Sequence, residues 1–348
     1  YNMVDSIFIG LGVGPMAISG LALTFPLMNL AAAFGSLVGV GAATLISMRL
    51  GQKDYASAQY ILGNVVVLNF IIGLGFGLVT LLFLDPILYF FGASEATIGY
   101  ARDYMSIILM GNVVTHMYLG LNSVLRSAGH PRKSMYATIN TVVINTILDP
   151  LFIFVFEMGI AGAALATALS QLVSFLILGW QFLHGRSIVR LRLQAVSRSP
   201  RDYGQILLIG FPTICRQGFA SLSSALLNNA AAAYSDAAVA AVTISNKVYL
   251  LVRSMIIGIG QGFQPVAGYN FGAGSKPRTR QAFWFSTLFG TVVCVAGAAL
   301  IALFPEQIMH FFRDDPEVTR IGRQALLYAC AVMPVMAYST YVNQLYQC

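Results

Sequence analysis

The stretch Asn140-Thr-Val-Val-Ile-Asn145-Thr-Ile-Leu-Asp149-Pro150 sets one carboxylate at the end of a run with no other charge. The run lies within a longer apolar segment, near residues 132–156, that reads as a membrane span. On a helix, Asn145 and Asp149 stack on one face, one turn apart. A carboxylate at the centre of a bilayer helix costs about 2.5–3.5 kcal/mol on insertion scales. A chain keeps such a group where it meets water, a partner or a moving ion. Asp5 is a second acid in an apolar run. The pattern reads as half of a cation or proton site and points to transport.

Composition agrees with that reading. The 348 residues are 57% hydrophobic and 9% charged, with a mean hydropathy of +0.74, whereas soluble domains carry about 25% charged residues. A soluble fold of this length lacks the interior to hide so much apolar surface, so an all-α integral membrane protein is expected. The apolar runs are long and do not alternate, which disfavours a β-barrel. Cys215, Cys294, Cys330 and Cys348 are scattered, and no CxxC or Cys/His cluster suggests a disulfide framework or zinc. Both ends fall within apolar sequence and read as cut from a longer chain.

About ten spans are expected, near residues 1–10 (partial), 15–40, 57–84, 97–125, 132–156, 160–184, 203–234, 237–265, 279–304 and 320–346. Alternate loops carry most of the 20 basic residues: Arg49, Lys53, Arg126, Arg132, Lys133, Arg186, Arg190, Arg192, Arg198, Arg201, Lys276, Arg278 and Arg280. The opposite loops and their flanks hold Asp85, Glu95, Asp103, Glu157, Asp236, Glu306, Asp314, Asp315 and Glu317. The positive-inside rule makes the basic set cytoplasmic. The net charge of +7 is thereby explained without nucleic acid.

Displaced by 221 residues, the chain meets itself. Gly39, Gly41 and Gly51 fall on Gly260, Gly262 and Gly272; Arg102 falls on Arg323 and Asn122 on Asn343. A shift spanning six helices preserves direction, so these are parallel six-helix repeats. The expected lobes are residues 1–184 and 203–348, joined by a basic cytoplasmic linker at 185–202. The repeat breaks at Asp5, whose partner is Leu226, and an asymmetric acid in a symmetric scaffold suggests function. The alternative is an aspartate at a helix end, since Gly10-Leu-Gly-Val-Gly-Pro15 closes that span.

Pro150 removes a backbone donor and frees a carbonyl in the turn before it, next to Asp149. Asn122 and Thr167 add neutral oxygens from neighbouring spans, or else bond helix to helix. This set suits sodium, which favours hard oxygen ligands, or a proton, which needs one carboxylate in a low-dielectric pocket. Lys247 and Arg216 lie in or near spans and could face a cavity, although Arg216 could snorkel to the interface. The pairs Gly35/Gly39, Gly73/Gly77, Gly258/Gly262 and Gly268/Gly272 allow close helix contact. No Walker motif, nucleophile elbow or HExxH is present, so neither an enzyme nor an ATP-driven pump is expected.

Several motifs resemble the multidrug and toxic compound extrusion (MATE) family. They are Tyr1-Asn2-Met3-Val4-Asp5, Arg49-Leu-Gly51-Gln, Asn122-Ser-Val-Leu-Arg126-Ser-Ala-Gly129, Asn145-Thr-Ile-Leu-Asp149-Pro150 and Gly260-Gln-Gly262-Phe-Gln264-Pro265. The resemblance implies a two-lobed MATE-like transporter fold, truncated here to about ten transmembrane helices. It implies export of amphipathic or cationic compounds in exchange for H⁺ or Na⁺, with no other cofactor. The family's coupling site maps onto Asp5, Asn122, Asn145, Asp149 and Thr167, with Na⁺ at Asp5, Asn145 and Asp149. Lys247, Arg216 and Gln264 are candidates for the substrate cavity. The expected setting is a monomer in a bacterial-type inner membrane. The competing reading is a flippase for lipid-linked oligosaccharide, which would want several cations around pyrophosphate.

Overall fold

The computed structural model describes residues 2–184, 196–197, 199–312 and 315–348. Tyr1, the basic residues Arg186, Arg190, Arg192 and Arg198, Asp314 and most of the expected linker lie outside the described residues. The described elements are all helical: α1 (Asn2–Gly12), α2 (Pro15–Gly51), α3 (Tyr55–Leu82), α4 (Leu84–Phe90), α5 (Ile98–Met110), α6 (Asn112–Ser127), α7 (Pro131–Pro150), α8 (Gly159–His184), α9 (Pro200–Ala232), α10 (Asp236–Gly272), α11 (Lys276–Leu303), α12 (Pro305–Phe312) and α13 (Pro316–Tyr346).

Among the described residues, eight helices are long and apolar enough to cross a membrane, and α5 with α6 forms a ninth span bent by 55°. With 11 residues, α1 falls short of the roughly 20 that a bilayer requires. Counting α1 as a partial span, these helices correspond to the ten expected segments. The bend has no proline; it falls at Gly111, between the two helices. Apolar residues such as Phe285, Leu288, Val292 and Val295 stand exposed along α11. A hydrocarbon solvent explains such a surface, and water does not.

Local chemistry sets the helix ends. The α2 helix runs to Gly51, well past the expected end near residue 40, and a turn containing Lys53 at φ 61° follows it. The Asp54 side chain then accepts the Ser57 N–H at 3.1 Å and starts α3. Asp315 caps α13 in the same way, accepting from the N–H groups of Glu317 and Val318. Pro150, which cannot donate to the preceding turn, is followed by a π-helical turn at Leu151–Val155.

The chain forms two compact units, Tyr1–Gln217 and Gly218–Cys348, and the division falls inside α9. The first half of α9 belongs to unit 1 because glycines let its backbone touch that of α2. A Cβ on Gly41 would strike the Ile206 carbonyl, and one on Gly210 would strike that of Leu37. Unit 1 packs two apolar clusters. One centres on Val38, Ile46, Leu62, Val65 and Val124, the other on Ile9, Leu21, Leu88, Met105 and Ala164. Unit 2 packs its own around Ile256, Cys294, Leu326 and Met333.

The repeat carries contacts as well as letters. Arg102 holds Asp85 through two hydrogen bonds of 2.8 and 2.6 Å. At the equivalent positions of unit 2, Arg323 holds Glu306 at 3.0 Å.

Candidate functional site

Four helices and one buried carboxylate pair make the site in unit 1. The α1 helix supplies Asp5, α5 supplies Tyr104, α7 supplies Asn145 and Asp149, and α8 supplies Thr167. All five side chains are buried, the two acids to 1% and 0% exposure. Thr167 donates its hydroxyl to Asp5 Oδ2 at 3.0 Å, and Tyr104 donates to the same oxygen at 3.3 Å. The Asn145 amide nitrogen donates to Asp149 Oδ1 and to Thr167 Oγ1, each at 3.2 Å. The helical spacing of Asn145 and Asp149 therefore does what the sequence implied: one turn separates the two groups, and they bond.

The chain of bonds leaves three oxygens over. Asp5 Oδ1, Asn145 Oδ1 and Asp149 Oδ2 are buried acceptors with no hydrogen-bond donor. The two carboxyls also lie within each other's electrostatic reach. Two bare negative charges in a low-dielectric interior are strongly disfavoured. Acceptors without donors beside such a pair suit a positive guest, either a proton shared by the carboxyls or a small hard cation. Neutral amide and hydroxyl oxygens complete a donor set of that kind.

Asn122 does not join this chain of bonds. Its amide nitrogen donates to the Ser134 carbonyl at 3.1 Å and to Thr138 Oγ1 at 3.2 Å, while its Oδ1 accepts the Ser134 hydroxyl at 2.7 Å. Those bonds saturate the amide and brace α6 against α7. A polar residue in a span reads alike whether it serves a site or a helix contact, and here it serves the contact. The substrate-cavity candidates each sit elsewhere. Gln264 is buried in unit 2 and donates to Gln347 at 3.2 Å. Lys247 is exposed on α10, and Arg216 is half-buried on α9.

Tyr104 was not foreseen from the sequence. A tyrosine in an apolar span carries no mark of polar duty, and only the fold brings it across to Asp5. The short helix α1 is itself well fitted: a Cβ on Gly12 would press on Ile153 and Phe154 of the π turn. That close approach fixes α1 against the end of α7, and with it the Asp5 side of the pair.

A bundle of apolar helices around a buried acid pair defines a polytopic membrane transporter. The chain matches the MatE family over residues 1–151 and 212–348, and it belongs to that family. It is 30% identical to the multidrug export protein MepA of Staphylococcus aureus strain NCTC 8325 over 322 residues, 92% of this chain and 71% of that protein. The MepA of Staphylococcus haemolyticus is 28% identical over 318 residues, 91% of this chain and 70% of its own. Among solved structures, an outward-facing multidrug resistance MATE family transporter matches with a TM-score of 0.93 at 24% identity, covering 100% of this chain and 78% of that one. A MATE transporter in the straight conformation matches with a TM-score of 0.91 at 25% identity, covering 99% and 78%.

Proposed function

We propose that this protein is a secondary antiporter that exports amphipathic or cationic small molecules in exchange for H⁺ or Na⁺. The observation that carries the reading is the buried Asp5–Asp149 pair with its three donorless acceptors. The multidrug export named for the MepA relatives supports the substrate class.

The physical logic is a difference in affinity between states. A coupled cycle requires a guest that binds one conformation more tightly than another. Asp5 sits on α1 and Asp149 on α7, so any movement between those helices changes the distance between the two charges. Closed together, the pair retains a cation or proton; drawn apart and hydrated, it releases one. Thr167 and Asn145 tie the two acids into one bonded chain, so both carboxyls respond to a single occupancy. The division into lobes at the basic linker 185–202, the cytoplasmic placement of the basic loops, the plasma membrane setting and the monomeric state belong to the same proposal.

The test is efflux and gradient coupling in vesicles of the complete protein. Substrate addition should collapse a pH gradient or a sodium gradient, and the ion required identifies the guest. Asp149→Asn and Asp5→Asn should each abolish that coupling. Wild-type coupling in both variants would remove the pair from the mechanism.

A further inference from the structure

Unit 1 contains a second buried polar group that the antiport reading does not use. It lies in the seam where α3 and α6 run antiparallel. Each polar residue of the seam meets a glycine on the other helix. A Cβ on Gly120 would strike the Asn69 amide; one on Gly73 would come within 3.4 Å of the His116 side chain; one on Gly77 would come within 3.7 Å of Asn112 Cβ. Gly35 of α2 closes the other side, its Cβ position 3.5 Å from the His116 ring.

Unit 2 repeats the seam in the same register with different chemistry. At the equivalent positions Gly290 accepts Tyr341, and the Cys294 thiol lies against the Ala337 backbone. Ala298 and Met333 complete the set, and all but the glycine belong to one apolar core. The Tyr341 hydroxyl is satisfied by the Ile256 carbonyl at 3.3 Å. The fold therefore packs this seam without Asn69, His116 or Asn112, and packing alone does not account for them.

Hydrogen bonding shows what the unit 1 seam lacks. Asn112 donates to the Gly73 carbonyl at 2.8 Å. His116 Nδ1 lies 2.9 Å from the Asn112 carbonyl. A carbonyl only accepts, so Nδ1 carries the hydrogen and Nε2 of the neutral ring is a bare acceptor. Nε2 has no partner, and neither does the nitrogen or the oxygen of the Asn69 amide, although both residues are 0% exposed. Buried polar groups of this kind are commonly satisfied by internal water, which needs two to four polar partners; the three unpartnered atoms belong to residues of adjoining turns of the same seam.

We propose that His116 and Asn69 form a second polar site in unit 1, one that holds water against the imidazole Nε2 and serves the transport cycle. Water donates to Nε2 and accepts from the Asn69 amide, and the Asn69 oxygen takes a further water hydrogen. The site is independent of Asp5 and Asp149, whose bonds run through α1, α5, α7 and α8.

Two measurements on the complete transporter test this. The first is magic-angle-spinning NMR of ¹⁵N-histidine protein in lipid nanodiscs, with the His116 signal identified by its loss in His116→Gln. A non-protonated Nε2 with a cross-peak to water, lost in Asn69→Leu, is expected. No water cross-peak in the wild type, or one that survives Asn69→Leu, overturns the assignment. The second is the pair Gly73→Cys with His116→Ala, which places the residue types of Cys294 and Ala337 at their unit 1 equivalents and should fold with a lowered thermal midpoint, because a Cβ on Gly73 comes within 3.0 Å of Val113 Cα. Drug efflux should fall at least tenfold; wild-type efflux in a folded pair overturns the role in transport. If the pair does not fold, His116→Gln carries the same efflux prediction, and wild-type efflux in that variant overturns the role in transport. Failure of gradient coupling through Asp5 and Asp149 would leave the NMR outcome untouched, so the two readings fall separately.

Discussion

Thr167→Val is the sharpest single test of the acid pair. Valine keeps the shape of threonine and deletes the hydroxyl, so α8 should still pack. Two bonds disappear: the donation to Asp5 Oδ2 at 3.0 Å and the acceptance from Asn145 at 3.2 Å. A hydrogen bond to a charged group contributes about 1.5–3 kcal/mol. The Asn145 amide keeps its bond to Asp149, and Asp5 Oδ2 keeps only the longer Tyr104 bond of 3.3 Å. The lower half of that range is therefore the better figure, about 1.5–2 kcal/mol, which is roughly a 10–30-fold change in an equilibrium. Vesicle efflux of a fluorescent cationic drug should fall by about that factor, while drug binding in detergent stays near wild type. Thr167→Ser restores the hydroxyl and should recover efflux to within about threefold. Equal efflux from the valine and serine variants would show that the hydroxyl does not link the acids, and the reasoning fails.

Three further outcomes follow from the same geometry. Asn122→Ala should lower the thermal midpoint, because it removes the amide's bonds to Ser134 and Thr138 between α6 and α7, yet leave the coupling ion and its stoichiometry unchanged in gradient assays. Gly210→Ala should destabilise the purified protein by about 1–3 kcal/mol in thermal or denaturant unfolding, since overpacking a tight contact costs that much and the Leu37 carbonyl has no room for a Cβ. Asp54→Ala should cost about 0.5–2 kcal/mol as a lost N-cap. The Ser57 side chain and N–H hold the Asp54 carboxyl below the usual aspartate range. A depressed folded-state value stabilises the fold above the unfolded value, near 3.9, and is lost as pH falls through the folded one. The difference between wild type and Asp54→Ala should thus be constant from neutral pH down to about 5 and shrink under stronger acid.

The local part of the site was legible in the sequence, and the long-range part was legible only in pieces. Asn145 and Asp149 are one helical turn apart, so their bond follows from spacing alone. Asp5 announced itself as an acid in hydrocarbon and as a break in the repeat, but no spacing said which helix it would meet. Thr167 reads from the sequence only as a neutral oxygen in a neighbouring span, and the family resemblance adds it to the coupling set. Tyr104 gave no signal, because its hydroxyl matters only once α5 lies against α1. Asn122 reads from the sequence as either a site oxygen or an interhelical bond, and in the structure its amide bonds Ser134 and Thr138 across α6 and α7. The repeat was clear because Arg102 and Arg323 keep one register, and the structure gives both the same kind of acidic partner. The sequence predicts the end of α2 about three turns too early: Arg49 reads as a loop cation, but its helix continues to Gly51.

The π turn that follows Pro150 has a consequence for how the acid pair could be governed. A π turn contains one residue more than the α turn it replaces, and such a bulge can migrate along a helix by exchanging hydrogen-bond partners. Each one-residue step rotates the side chains it passes by about 100°. Moving the turn back across Pro150 and Asp149 takes two such steps, which would swing the Asp149 carboxyl off the Asn145 face and break the bonded chain to Asp5. The winding of this segment and the Asn145–Asp149 bond are therefore coupled.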